Sequence, residues 1–223
     1  MPTARQVPFT ICLVIAVVAI AVGTGTHLGE LGPDWLEHWG FAPQDLHRGD
    51  WRRIVSSVIL TVGGWNFYAA VAMICTCVGA AERRFGTLAT MAIFVSVHIA
   101  TLILEDAAAV FPLRRLGHPL GDLLHVARDV GPSAGYYGCL GAVLAAIASP
   151  RRRWLMLAAV ATLLGCRLIW SALSVDSAVD SLPADIAHVI ALPAGAIWGV
   201  MLRRRARHRP PTPLEGDARP GVS

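Results

Sequence analysis

Six predominantly apolar blocks, most of them close to 20 residues long, divide this chain: about 9–22, 54–80, 85–104, 131–149, 154–173 and 186–202. A helix needs about 20 apolar residues to cross the roughly 30 Å core of a bilayer. No soluble core accommodates six such blocks in 223 residues, and little is left for an extramembrane domain. Charged residues make up only 15% of the chain, against about 25% in an ordinary soluble domain, and the mean hydropathy is +0.55. The pattern predicts an all-α integral membrane protein, a bundle of six transmembrane helices.

The first block contains Ala19-Ile20-Ala21, which is similar to the cleavage site of a secretory signal. Because further blocks follow, the expectation is a retained first helix. Orientation comes from the arginines, since all 19 basic residues are arginine. With the N-terminus inside, twelve are cytoplasmic: Arg5, Arg83, Arg84, Arg151, Arg152, Arg153 and the six from Arg203 onward. Six lie outside, Arg48, Arg52, Arg53, Arg114, Arg115 and Arg128, all in the two longest loops. The positive-inside rule then places both termini in the cytoplasm. Residues 1–202 are the expected membrane domain, and 203–223 a basic, Pro/Gly-rich, disordered cytoplasmic tail. The lysine-free, Ala/Gly/Arg-rich composition points to a GC-rich coding genome, and the expected location is the cell membrane as a multi-pass protein, a bacterial inner or plasma membrane. Short arginine clusters between apolar blocks are not the basic, aromatic-interleaved stripe that nucleic acid favours, so no nucleic-acid partner is expected.

The segment 23–53 holds Trp35, Trp39 and Trp51 among five acids, which suits a loop lying at the interface. The stretch 105–130 carries Pro112, Gly117, Pro119 and Gly121 as breakers and reads as a connection. All five cysteines fall in apolar blocks, and Cys75-Thr76-Cys77 has neither zinc nor thioredoxin spacing. They read as packed hydrophobes, and no cofactor or metal is expected.

Polar groups inside apolar blocks are costly and mark function by default. Here they are Asn66, Glu82 at a block's end, His98, Ser133, Tyr136, Tyr137, Arg167, Ser171 and His188. Ser133 opens the fourth block behind Gly131-Pro132, beside the free N–H groups that begin a helix and that stabilise a developing oxyanion. A helix cap is the plainer role for such a serine. Gly135, Gly138 and Gly141 follow at three-residue spacing and permit a very close helix neighbour. In the sixth block, Ala187, Ala191, Gly195 and Gly199 form a second small-residue row, and His188 shares its side. Were the two rows to meet, a hydroxyl nucleophile and an imidazole base would come together. The plainer role for His188 is an interhelical hydrogen bond. For Arg167 the plain reading is snorkelling or pairing with a carboxylate. For His98 it is a bond across helices. Asp129 is the nearby outside carboxylate to test as an orienter, with a loop acid or cap as the alternative.

These residues, in this order, resemble the rhomboid family of intramembrane serine proteases. The family's Gly-x-Ser-Gly corresponds to Gly131-Pro132-Ser133-Ala134, with Tyr137, Gly138 and Gly141-Ala142 at the matching places. Ala187-His188 and Gly195 match the family's histidine helix, Trp51-Arg52 its Trp-Arg pair, and Glu82 to Gly86 its Glu-Arg-Arg-Phe-Gly stretch. The resemblance spans about 49–200 and implies a six-helix core, a Ser133–His188 catalytic dyad, Tyr137 packed on the imidazole, and transmembrane protein substrates. It also implies an oxyanion-binding His-x-x-x-Asn in the second span. Here Asn66 falls at or beside the histidine place and Ala70 stands for the asparagine, while Ala134 and Ala191 replace glycines. The rival expectation is accordingly an inactive rhomboid-like protein that binds transmembrane clients. A small transporter fits poorly, since no charged relay crosses the blocks.

Overall fold

The computed structural model describes residues 6–174 and 178–207, and in these it is built of helices. No strand occurs among the described residues, only two isolated bridges, Glu30 with Gly63 and Phe41 with Asp129. Three helical runs are long and apolar enough to cross a membrane: Thr87–Arg115, Pro150–Leu173 and Ser181–Ala206.

Helix α1 (Pro8–Thr24) begins at a proline and has no capping side chain of its own. The cap comes from far along the chain. Buried Glu82 accepts from the N–H groups of Phe9 (2.9 Å) and Thr10 (2.8 Å) and from the Thr10 hydroxyl (2.7 Å). A carboxylate satisfies the free donors and complements the positive end of the helix. The same carboxylate accepts from Thr87 Oγ1 at 2.8 Å, so it joins the starts of two helices.

The segment 23–64 is folded more tightly than an interface loop requires. It contains α2 (Pro33–Trp39), α3 (Pro43–Arg48) and α4 (Arg52–Ser57). The second apolar block is correspondingly shorter as a helix than its hydropathy suggests. The run that begins at Ile54 breaks at Gly63 (φ 88°) and Gly64 (φ 56°), and α5 starts only at Trp65. Close backbone approach is the reason: a Cβ at Gly63 would overlap the Gly29 carbonyl, and Gly64 N–H donates to that carbonyl at 2.8 Å. Ile54 packs instead with Phe41 and Leu102 beneath the loop. α5 (Trp65–Met73) continues through a π-turn (Ile74–Val78) into α6 (Gly79–Phe85).

α7 (Thr87–Glu105) also outlasts its apolar block. It runs through a second π-turn (Asp106–Val110) into α8 (Phe111–Arg115), so Pro112, which has no N–H to donate, lies inside the continuous run Thr87–Arg115. Gly117 (φ 66°) ends the run, and α9 (Pro119–Val126) follows, so the connection 105–130 is largely helical between its breakers.

α10 (Ser133–Ala145) is the middle of the bundle. α11 (Pro150–Leu173) and α12 (Ala178–Arg207) complete it. α12 starts a full two turns before the sixth apolar block and runs past residue 202 into the basic tail; residues 208–223 lie outside the described residues, as does Arg5. The small residues of α10 serve two neighbours. Toward α7, a Cβ on Gly135 would strike the Phe94 ring, and one on Gly138 would lie 2.7 Å from Val97 Cγ1. Toward α12, a Cβ on Gly141 would strike the Leu192 carbonyl, one on Gly195 that of Gly138, and one on Gly199 that of Ala142. Gly138 faces Gly195 and Ala142 faces Gly199, so the two helices run parallel with their N-terminal ends on the same side. Ala134 and Ala191 are buried in this core without opening it. Of the cysteines, Cys77 and Cys139 are buried, whereas Cys12, Cys75 and Cys166 lie on exposed faces rather than in the packing.

A candidate active site at the head of two parallel helices

The approach to α10 is fixed by backbone bonds. Phe41 and Asp129 exchange two N–H···O bonds (3.0 and 2.8 Å), and Gly131 N–H donates to the Ser57 carbonyl at 2.9 Å. Arg128, just before, donates to Asp45 (2.8 Å), to both oxygens of Glu37 (2.9 and 3.1 Å) and to the Gly40 carbonyl (3.0 Å). These bonds hold the carboxylate of exposed Glu37 below its usual range. Arg53 adds bonds to Asp50 (2.9 Å) and to the carbonyls of Glu37 and Gly40. The second guanidinium that braces the loop is thus that of Arg53, whereas Arg52 of the Trp-Arg pair is exposed and, among the described residues, bonds Asp50.

Ser133 is the first residue of α10, with Pro132 in the cap position and no side chain capping the helix. The plainer sequence reading, Ser133 as cap, therefore does not hold. Its N–H and those of Ala134 and Gly135 belong to the uncapped first turn, the positive end of the helix. Tyr137, one turn further on the same face, packs its ring on His188, centroid to centroid 4.5 Å. His188 is buried, and neither ring nitrogen has a hydrogen-bond partner among the described residues. Ser133 Oγ is therefore not bonded to the imidazole in this structure. Asn66 is exposed near the start of α5, while Phe67 and Ala70 beyond it are buried. The structure thus joins Tyr137 to His188, while Asn66 lies exposed on α5.

The carboxylate nearest His188 is one the sequence reading passed over. Asp185, one turn earlier on α12 and buried, has Oδ1 at 3.6 Å from Nδ1, a charge-pair distance rather than a hydrogen bond. Asp185 is itself held by Arg167 (2.6 Å) and by the Ser171 hydroxyl of α11. Arg167 thus has the carboxylate partner of its plain reading. Asp129 lies close enough to feel both His188 and Asp185, but its Oδ1 accepts from Val130 N–H at 2.8 Å and burial pushes its carboxyl up to about 6. His98 bonds across to the Ile54 carbonyl at 3.0 Å.

Compared with models of protein families, residues 48–205 match the Rhomboid domain. Neither the curated proteins nor the solved structures give a match.

Proposed function

The chain belongs to the rhomboid family, and from that premise we propose that it is an intramembrane serine protease with a Ser133–His188 dyad. The family acts on membrane proteins within the bilayer, so the substrates are transmembrane proteins. In this reading α1, α5–α6, α7–α8, α10, α11 and α12 are six spans, with both termini cytoplasmic and the head of α10 at the outer face of a bacterial plasma membrane. The carrying observation is the parallel seam of α10 and α12, which puts an unbonded, buried imidazole against Tyr137, one turn from Ser133.

The chemistry follows from that placement. Ser133 Oγ bonds to the scissile carbonyl carbon as His188 takes its proton; Nδ1 lies toward Asp185, which leaves Nε2 for the serine. The oxyanion meets the Ser133 N–H at the uncapped helix start; Asn66, exposed near the start of α5, must turn inward to serve as a second donor. The C–N bond then breaks as His188 returns the proton to the leaving amine, and water repeats the cycle to release the acid. Ser133 and His188 must close from their present separation, as catalytic hydrogen bonds commonly do once substrate binds.

A fluorophosphonate probe tests the reading on the protein in bilayers. Labelling that disappears in Ser133→Ala and in His188→Ala, both remaining folded by thermal melting, is the expected result. Cleavage retained by either variant would end the assignment. Asn66→Ala should cost about 10²–10³ in rate if the side chain donates to the oxyanion. The second reading, an inactive binder of transmembrane clients, is favoured by one observation, the missing Ser133–His188 bond. It expects no labelling, and a client that co-purifies equally with wild type and Ser133→Ala.

A further inference from the structure

Away from the dyad, three side chains from three elements converge on one point. His47 of α3, Asp106 of the π-turn after α7, and His125 of α9 place their ligand atoms all within 4.8 Å of one another. His47 Nε2 stands 3.0 Å from Asp106 Oδ2, and the two imidazole rings are 5.5 Å apart, centroid to centroid. The His47–Asp106 contact alone does not account for the cluster. It leaves Asp106 Oδ1 and His125 Nδ1 buried without a hydrogen-bond partner among the described residues. Buried lone pairs of this kind are costly unless something fills them.

We propose that His47, Asp106 and His125 bind one divalent transition-metal ion, zinc in preference to magnesium or calcium. Two neutral imidazoles and a carboxylate are the borderline nitrogen/oxygen set that zinc takes, with water completing the coordination. Magnesium and calcium favour all-oxygen sites. Ligand atoms of tetrahedral zinc lie about 3.3 Å apart, so the cluster closes by small side-chain rotations. His47 can supply them, because its side chain is 52% exposed and opens the site to water, whereas Asp106 at 13% is held in place. The arginine felt by His125, Arg114, is itself engaged by Asp122 at 2.9 Å, which offsets its repulsion of a metal ion. A metal here would tie α3 to α7 and α9, pinning the loop of residues 23–64 to the segment that leads into Ser133. The inference is independent of whether the dyad cleaves anything.

The test uses the full chain without an affinity tag, in lipid nanodiscs, stripped with a chelator and titrated with Co(II) as a spectroscopic probe. The expected result is one Co(II) per chain, with the visible absorption of four- or five-coordinate cobalt, displaced by Zn(II) and not by Mg(II). His47→Ala, Asp106→Asn and His125→Gln should each weaken binding at least about 100-fold. His38→Ala, an exposed histidine outside the cluster, should leave it unchanged. Zn(II) should also raise the melting temperature of wild type but not of His47→Ala, the variant least able to disturb folding. A folded wild type that binds no Co(II), or one whose affinity is the same in His47→Ala and His125→Gln, overturns the proposal.

Discussion

Helices α10 and α11 are neighbours in sequence and both apolar, yet they do opposite things. α10 buries eight of its 13 residues, glycine and alanine prominent among them, and at about 20 Å it is short for a bilayer. α11 has 24 residues and buries only Leu164 and Ser171, while Trp154, Leu163, Trp170 and Leu173 are all more than half exposed. Hydropathy does not separate them, because lipid is as apolar as a protein core. Side-chain size does: where no hydrophobic force drives helices together, close packing falls to the residues that let backbones touch. Between these two helices small residues mark the inside and large ones the lipid face, the reverse of a soluble helix.

The largest expected effect breaks the inside half of that contrast. In Gly195→Ala the new methyl would overlap the Gly138 carbonyl, a backbone atom that cannot swing aside. The two helices must part, at a cost of at least about 3 kcal/mol, the upper end of overpacking. Catalytic geometry is lost with shifts of about 1 Å, so probe labelling should vanish as well. Equilibrium unfolding in mixed micelles reads the first and fluorophosphonate labelling the second.

Next in size is the polar exception on α11. Arg167 and Ser171 are tied to buried Asp185 of α12, and Ser181 Oγ adds a 3.1 Å bond to Ser171 Oγ. Asp185→Asn keeps the shape but removes the charge that Arg167 pairs with. A loss of about 1–3 kcal/mol is expected, the range for a buried hydrogen-bonded group deprived of its partner. An equal loss from Arg167→Ala, with no further loss in the double variant, would show that this pair is what joins α11 to the bundle.

A smaller effect appears only on a pH axis. The Asp129 carboxyl is pushed up from 3.8 to about 6 by burial, with Asp185 adding to it and His188 opposing. Between those values the folded protein binds more protons than the unfolded one, so stability falls as pH rises from about 4 to about 6 and then levels. Asp129→Asn should flatten that slope in the melting temperature, leaving the rest of the profile unchanged. A slope that survives the substitution assigns it to another group.

What was legible in the sequence was what period and residue size encode. The glycine row of α10 and the Ala/Gly row of α12 predicted a close seam, and that seam is present, although of the α10 glycines Gly141 turns to α12 while Gly135 and Gly138 turn to α7. Hydropathy misjudged ends. Ile54 begins an apolar run but turns under a loop, because Gly63 and Gly64 are needed for backbone contacts with Gly29 that no pattern reveals. The same error hid Asp185: with the sixth block taken from 186, the carboxylate seemed to precede the span, when it sits one turn from His188 inside the helix. Distance in sequence hid the rest. Glu82 caps a helix 72 residues away, and His47, Asp106 and His125 meet only through the fold. Arg52 and Arg53 are adjacent, and only packing tells which one turns inward.

The smallest expected effect is the sharpest test of the contrast. Gly165 lies in α11, and a Cβ there would meet nothing within 4 Å. In an exposed helix in water, Gly→Ala would gain up to about 1 kcal/mol from helix propensity. In the apolar interior of a mixed micelle, as in a bilayer, that gain shrinks, since a separated span remains helical and little backbone freedom is recovered on unfolding. Gly165→Ala should therefore change stability by less than about 0.5 kcal/mol, in the same unfolding assay where the identical substitution at Gly195 is severe. A gain near 1 kcal/mol would mean that α11 unfolds into water rather than lipid. A large loss would mean that some neighbour covers Gly165, and α11 would no longer be the lipid-facing half of the comparison.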